Sequence, residues 1–192
     1  MKAFRRFLVI GIPAMIAAGV MRQHLEPLTR TAIGREVLMP FRVAALMAKP
    51  PDDRLAMPVS RVHVGQIANT WHGPRDRGRQ HEGQDIFAAR GTPVYSATAG
   101  IVIREGDAGI GGNAVSVLGA GGRVYYYAHL SRFADLQVGD PVTPDTIIGY
   151  VGNTGNARAT PPHLHFGVYA RGGAINPLPL LTDRDSTVDT TP

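Results

Sequence analysis

From Pro58 onward the chain never keeps one apolar pattern long enough to build a helix. Short β-branched or aromatic stretches, among them GIVIREG, NAVSVLG, VYYYAHL and HLHFGVYA, are each cut off within a few residues by glycine, proline or a polar turn. Such residues suit a pleated, half-buried surface, and the punctuation supplies the turns, so this part is expected to be mostly β. The glycines and prolines form no low-complexity block and no internal repeat is visible. With 192 residues, 44% of them hydrophobic, there is enough apolar material for one domain with a real core plus extensions.

The extensions differ in character. Lys2, Arg5 and Arg6 precede the apolar run Phe7–Met21, the layout of a basic n-region and an h-region. The run is shorter than the about 20 residues of a spanning helix, yet long for a signal peptide. Ala17 and Gly19 permit cleavage, whereas the flank Arg22–Glu26 suits an uncleaved anchor with its positive end in the cytoplasm. Residues 1–21 are therefore expected to be an N-terminal apolar helix, either an inner-membrane anchor or a signal segment. Residues 22–57 show some helical spacing, interrupted by Pro27, Gly34 and Pro40, and then the cluster KPPDD; they read as a partly helical, membrane-proximal linker. The folded domain is expected over 58–181, and 182–192 as a flexible tail too poor in apolar residues to pack.

Composition removes several chemistries. Without cysteine there is no disulfide framework, thiolate metal site or cysteine nucleophile, so any metal must be held by histidine and carboxylate. The net charge of +5 fits nucleic acid, an anionic envelope surface or plain solubility. The arginines are scattered apart from PRDRGR (74–79), and no basic helix or interleaved aromatic pattern accompanies them, which argues against nucleic acid as a partner. Glycine clusters at 106–112 and 119–122 are not followed by a helical pattern, so they read as turns rather than a phosphate cradle.

The chemistry lies in the histidines. His163 and His165 are one residue apart in a strand-like run, so they share a face while Leu164 and Phe166 take the other. His81 and Asp85, four apart, share a face in either an extended or a helical chain. HEGQD begins like a helical H-E-x-x-H site, but Gly83 and the strand-like DIFAA argue for an extended segment, with Glu82 a solvated charge. Together His81, Asp85 and His165 would hold Zn²⁺ with a fourth position open for water, the donor set of a catalytic rather than a structural zinc. His163 would sit beside that centre, and a second strand could carry His129 into the same cleft, giving two imidazoles for proton transfer and oxyanion stabilisation. His63 reads as a structural strand residue, His72 as a turn residue that could line a cleft, and His24 has no assigned chemistry.

The motifs H-x-G-x-D (81–85), Y-x-H-L (127–130) and H-L-H-F (163–166), with GTPV (91–94) and GNTG (152–155), resemble in order and spacing the lysostaphin-type (LytM-like) zinc endopeptidases of peptidoglycan. The resemblance runs from about Pro58 to Leu181. It implies a compact, mostly antiparallel β-sheet domain with a loop-walled cleft, one Zn²⁺ on His81, Asp85 and His165, and His129 and His163 as the catalytic pair. It also implies peptidoglycan stem peptides and cross-links as substrate, cut by metal-bound water, and a periplasmic place in the cell envelope. The turn VTPDTIIG (142–149) departs from many relatives at the surface, and Arg75 reads as a solvated loop arginine or as a holder of an anionic stem peptide. The short export segment and lack of an appended wall-binding domain suggest a Gram-negative envelope and a D-alanine to diaminopimelate bond. The alternative is a catalytically silent wall-binding module that regulates another hydrolase, and a regulatory protein partner stays open.

Overall fold

The computed structural model of the chain describes residues 32–75 and 78–184. By contacts the chain divides into Met1–Pro40 and Phe41–Pro192. The expected apolar helix at 1–21 and His24 lie outside the described residues. Among the described residues no helix is long and apolar enough to cross a membrane. The single α-helix described, α1 (Ala32–Met47), continues through Pro40. Proline lacks an N–H and so removes one rung of the helix ladder, yet its helical φ lets the chain carry on.

Twelve strands follow among the described residues: β1 (Leu55–Ala56), β2 (Gln84–Phe87), β3 (Pro93–Tyr95), β4 (Gly100–Asp107), β5 (Asn113–Gly119), β6 (Val124–Leu130), β7 (Arg132–Phe133), β8 (Pro141–Val142), β9 (Ile147–Tyr150), β10 (His163–Ala170), β11 (Gly173–Ile175) and β12 (Leu181–Thr182). The largest sheet runs β11-β10-β6-β5-β4-β8, with β2 also paired to β10. Its pairings are all antiparallel. A smaller antiparallel sheet, β3-β9-β7, accompanies it, and the mostly antiparallel β domain implied by the motifs is what the chain forms.

The alternation seen in the sequence decides which residues are inside. Leu164, Phe166 and Val168 of β10 and Tyr125 and Tyr127 of β6 are fully buried in one core with Ile86 of β2. Tyr127 and Phe166 rings meet at 5.2 Å, the tilted contact that aromatic quadrupoles favour. On the other face of the same strands the side chains open onto a cleft. Leu55 and Met57, N-terminal of Pro58, are also fully buried in this core. At the far end β12 pairs in parallel with β1, and Arg184 donates to the carbonyls of Met57 and Ser96. The packed chain thus reaches a few residues past 58 and 181 on each side.

His63 is not in a strand. It precedes a 3-10 turn at Val64–Gln66, because the Gln66 side chain accepts the His63 backbone N–H at 3.0 Å and closes the chain on itself. The glycine cluster at 106–112 forms the turn between β4 and β5, with a 3-10 segment at Gly109–Gly111, and 120–122 turns β5 into β6.

Candidate active site

Strand register brings the distant motifs together. Antiparallel pairing of β10 with β2 sets His165 opposite Asp85 and His163 opposite Phe87, and pairing with β6 sets His165 opposite Ala128. Asp85, His165 and Ala128 therefore form one cross-strand row on the cleft face, where the alanine leaves space above the sheet. His81 precedes β2, and its N–H and C=O are bonded to Gly73 and His72, which fixes the segment as extended chain rather than helix. Glu82 is exposed.

Three potential ligand atoms converge. His81 Nε2 lies 2.8 Å from His165 Nδ1, and Asp85 Oδ1 lies 3.0 and 3.1 Å from those two nitrogens. Ligand atoms on a tetrahedral zinc with bonds near 2.1 Å stand roughly 3.4 Å apart, so this cluster is close to a ligand set already assembled. All three side chains are largely withdrawn from water, His81 being 3% exposed. The outer partners agree: His81 Nδ1 lies 2.7 Å from the Thr70 carbonyl, an acceptor only, so it must carry the proton and leave Nε2 as a lone pair. Asp85 Oδ2 accepts from Arg75 Nη2 at 2.5 Å, leaving Oδ1 for the cluster. Burial pushes the Asp85 carboxyl up, but hydrogen bonds from His165, His81 and Arg75 outweigh it and hold the group well below the usual carboxylate range. Burial also pushes the His165 ring down, favouring the neutral form that binds metal.

Gly83 is what allows the cluster to close. A Cβ there would stand 2.5 Å from His165 Cε1, 2.7 Å from its Nε2 and 2.9 Å from the Phe166 carbonyl. Here glycine is needed for close approach rather than for a turn.

His129 reaches the cleft by breaking a rule. Strict alternation would put it on the face of Tyr125 and Tyr127, in the core. Instead β6 carries one extra residue against β5, since Val115 pairs with Tyr127 and Asn113 with Leu130, and His129 has φ +63°. This is a bulge with a non-glycine residue in the left-handed region, a conformation that costs about 1–3 kcal/mol and needs support. The support is Thr154. Its carbonyl lies 2.9 Å from His129 Nδ1 and its N–H donates to the His129 carbonyl. The Thr154 hydroxyl donates to Leu130 O and accepts from Asn113 N, both at 3.0 Å. His163 is held alike, with Nδ1 2.9 Å from the Pro161 carbonyl. In both rings Nδ1 must donate, so a neutral ring keeps Nε2 as a proton acceptor.

The two rings meet edge to face at 5.0 Å and line a cleft of about 670 Å³ with His81, His165, Tyr126 and Tyr169. Its walls include the turns at Gly109–Gly111 and Gly155–Ala159, whose backbones touch where Gly155 meets Gly112 and Ile110. His72 stacks on Trp71 and is not among the cleft residues. Thr70, Thr154 and Gln84 escape sequence reasoning, and Arg75, read there as a solvated loop residue or a holder of a stem peptide, is instead ion-paired with Asp85. Fully buried Gln84, which spans Ala68 O and Thr70 N, has only its place inside HEGQD as a signal.

Burial and the neighbouring His163 and His165 rings push the His129 pKa down to about 4. The unfolded chain takes up that proton near pH 6.5, so between those values the unfolded state binds more protons and stability falls as pH is lowered from about 6.5 towards 4. His129→Gln is expected to flatten this fall for the metal-free protein, measured as urea midpoints at pH 7 and 4.5. An unchanged slope would remove His129 from the acid response.

The sequence matches peptidase family M23 over residues 79–177, the span that carries every residue of the cluster. The chain belongs to that family. This M23 peptidase chain is 39% identical over 113 residues to the L-Ala–D-Glu endopeptidase of Bacillus subtilis, covering 55% of this chain and 35% of that protein. It is 39% identical over 112 residues to the DD-carboxypeptidase/endopeptidase Mpg of Neisseria meningitidis, covering 58% and 24%. A zinc-containing peptidase from Vibrio cholerae superimposes with a TM-score of 0.53 at 30% identity, over 62% of this chain and 37% of that one. The chain thus spans about a third or less of the length of the curated relatives it matches.

Proposed function

We propose that this M23 chain is a zinc-dependent endopeptidase that hydrolyses peptide bonds in peptidoglycan cross-links. The observation that carries the reading is the meeting of His81, Asp85 and His165 with two further histidines whose Nδ1 atoms are tied to backbone carbonyls. The named activities of the relatives on wall peptides support the substrate class. His81 through Nε2, His165 through Nδ1 and Asp85 through Oδ1 would hold one Zn²⁺, and a bound zinc acidifies water and polarises a carbonyl. The protein's own part is proton management. A neutral Nε2 of His129 or His163 accepts a proton as the water oxygen bonds to the carbonyl carbon. The protonated ring then stabilises the oxyanion or hands the proton to the amine as the C–N bond breaks. Tying Nδ1 to a carbonyl prevents the wrong tautomer from facing the substrate.

A cell-envelope place follows from the substrate. The periplasmic, membrane-tethered form of it depends on residues 1–21 and is tested by fractionation of the full chain with and without that segment. Wall binding without turnover is the second reading, and the presence of the His81, Asp85 and His165 cluster beside His129 and His163 in the cleft weighs against it. The deciding experiment is mass spectrometry of cross-linked peptidoglycan incubated with the zinc-loaded chain beside a metal-stripped control. Dimeric muropeptides are expected to fall to monomers only with zinc, and the product masses name the bond. Intact dimers with zinc demonstrably bound would instead support the binding module.

A further inference from the structure

The cleft floor extends past the ligand cluster on the side away from His129. Strand β6 presents Tyr126, Ala128 and, through its bulge, His129 to the cleft. Ala128 is opposite His165, and Tyr126 is opposite Gly167 on β10. His165 is thus flanked on β6 by two rings, His129 at 5.9 Å and Tyr126 at 6.1 Å, with the small Ala128 side chain between them.

Tyr126 and Tyr169 together cover this part of the floor from wall to wall. Tyr169 lies over Gly167, since a Cβ there would stand 2.8 Å from Tyr169 Cε2 and 3.2 Å from its Oη. The Tyr169 hydroxyl donates to the Glu82 carbonyl at 3.3 Å, on the β2 side. The Tyr126 hydroxyl goes the other way, to the turn before β5, where a Cβ on Gly111 would collide with it. The two rings meet edge to face at 6.5 Å.

The polar side chains that β6 and β10 present here differ in their hydrogen bonds. His129 and His163 are tied to carbonyls, His165 belongs to the ligand cluster and Tyr169 is tied to Glu82. The Tyr126 hydroxyl has no hydrogen-bond partner among the described residues, although its side chain is half-buried. A phenol is a donor at neutral pH, the more so here because burial pushes its pKa up. A donor partly withdrawn from water and without a protein partner favours a ligand that supplies an acceptor. An extended peptide supplies one at every residue, and a chain laid from His129 across Ala128 meets Tyr126 next.

We propose that Tyr126 is a substrate-binding residue whose hydroxyl donates to a carbonyl of the stem peptide, within about two residues of the bond that is cut, since an extended chain advances about 3.3–3.6 Å per residue. This rests on the endopeptidase reading of the cleft. The edge-to-face pair of Tyr126 and Tyr169 gives the same stretch of peptide an aromatic surface to lie on.

The test is binding, with turnover beside it. The metal-free full chain is titrated by calorimetry with a synthetic cross-linked stem-peptide dimer, and with versions in which one amide carbonyl at a time is a thiocarbonyl, a weaker hydrogen-bond acceptor. Tyr126→Phe keeps the ring and removes the hydroxyl. It is expected to weaken binding of the all-oxygen peptide about fivefold, the size of one neutral hydrogen bond. For one thiocarbonyl version the same substitution is expected to change the affinity by less than about twofold, and that version names the carbonyl. Equal affinity of both proteins for the all-oxygen peptide, an equal loss for every version, or no binding of the peptide overturns the contact. Muropeptide turnover by the zinc-loaded preparation separates the two readings. Cleavage without this coupling removes the contact alone, and coupling without cleavage leaves the contact standing while the endopeptidase reading falls.

Discussion

His163→Ala is expected to lower kcat on cross-linked muropeptides by about 10²–10⁴-fold while the protein keeps one zinc. The separation follows from geometry. His163 Nε2 stands 3.9 Å from Asp85 Oδ1, whereas the three ligand candidates lie within 3.1 Å of one another, so removing this ring leaves the donor set whole. What disappears is an imidazole whose Nδ1 is anchored on Pro161 O and whose Nε2 lies 3.9 Å from Asp85 Oδ1. Folding should survive, because the ring packs on Phe87, 5.1 Å away and itself 54% exposed, and on His129 at the cleft wall rather than in the core. Zinc content by atomic absorption and turnover on one preparation decide it. Full turnover would end the proton-transfer role, and loss of zinc would make His163 part of the metal site.

Gly83→Ala is expected to do the reverse, removing zinc and destabilising the domain together. Its Cβ would overlap the His165 ring and press on the Phe166 carbonyl, a strand backbone atom that cannot swing aside. Overpacking of this kind costs about 1–3 kcal/mol, and rotation of His165 to relieve it would pull Nδ1 away from Asp85. Gly65→Ala is the control, since a Cβ there meets nothing within 4 Å, and a shift within about 0.5 kcal/mol is expected. Urea unfolding and zinc retention measure both. A Gly83→Ala protein that holds zinc at full stability would show that the sheet yields enough for close approach not to matter.

These variants mark how far local reasoning reaches. The facing of His163 and His165 towards the cleft is legible in the sequence because alternation is a property of the strand itself, and the buried Leu164 and Phe166 hold the register. The extended reading of HEGQD is legible for a similar reason, since Gly83 and β-forming residues disfavour a helix wherever the segment lies. His63 misled, because a 3-10 turn closed by the Gln66 side chain overrides a short apolar alternation.

By itself the sequence determined the β class, the turn positions, the five candidate side chains and the family resemblance, all of which follow from residue type, spacing and order. Only the tertiary structure decided how His129 enters the cleft. The +63° φ that turns it away from the core is stable because Thr154, from a different loop, bonds both its ring and its backbone. The tertiary structure likewise decided that Arg75 bonds Asp85 and faces Arg79 across a hairpin. Periodicity is written along one strand, but a bulge, a hairpin pairing or an ion pair between loops gains its free energy from partners that become neighbours only after the chain has folded.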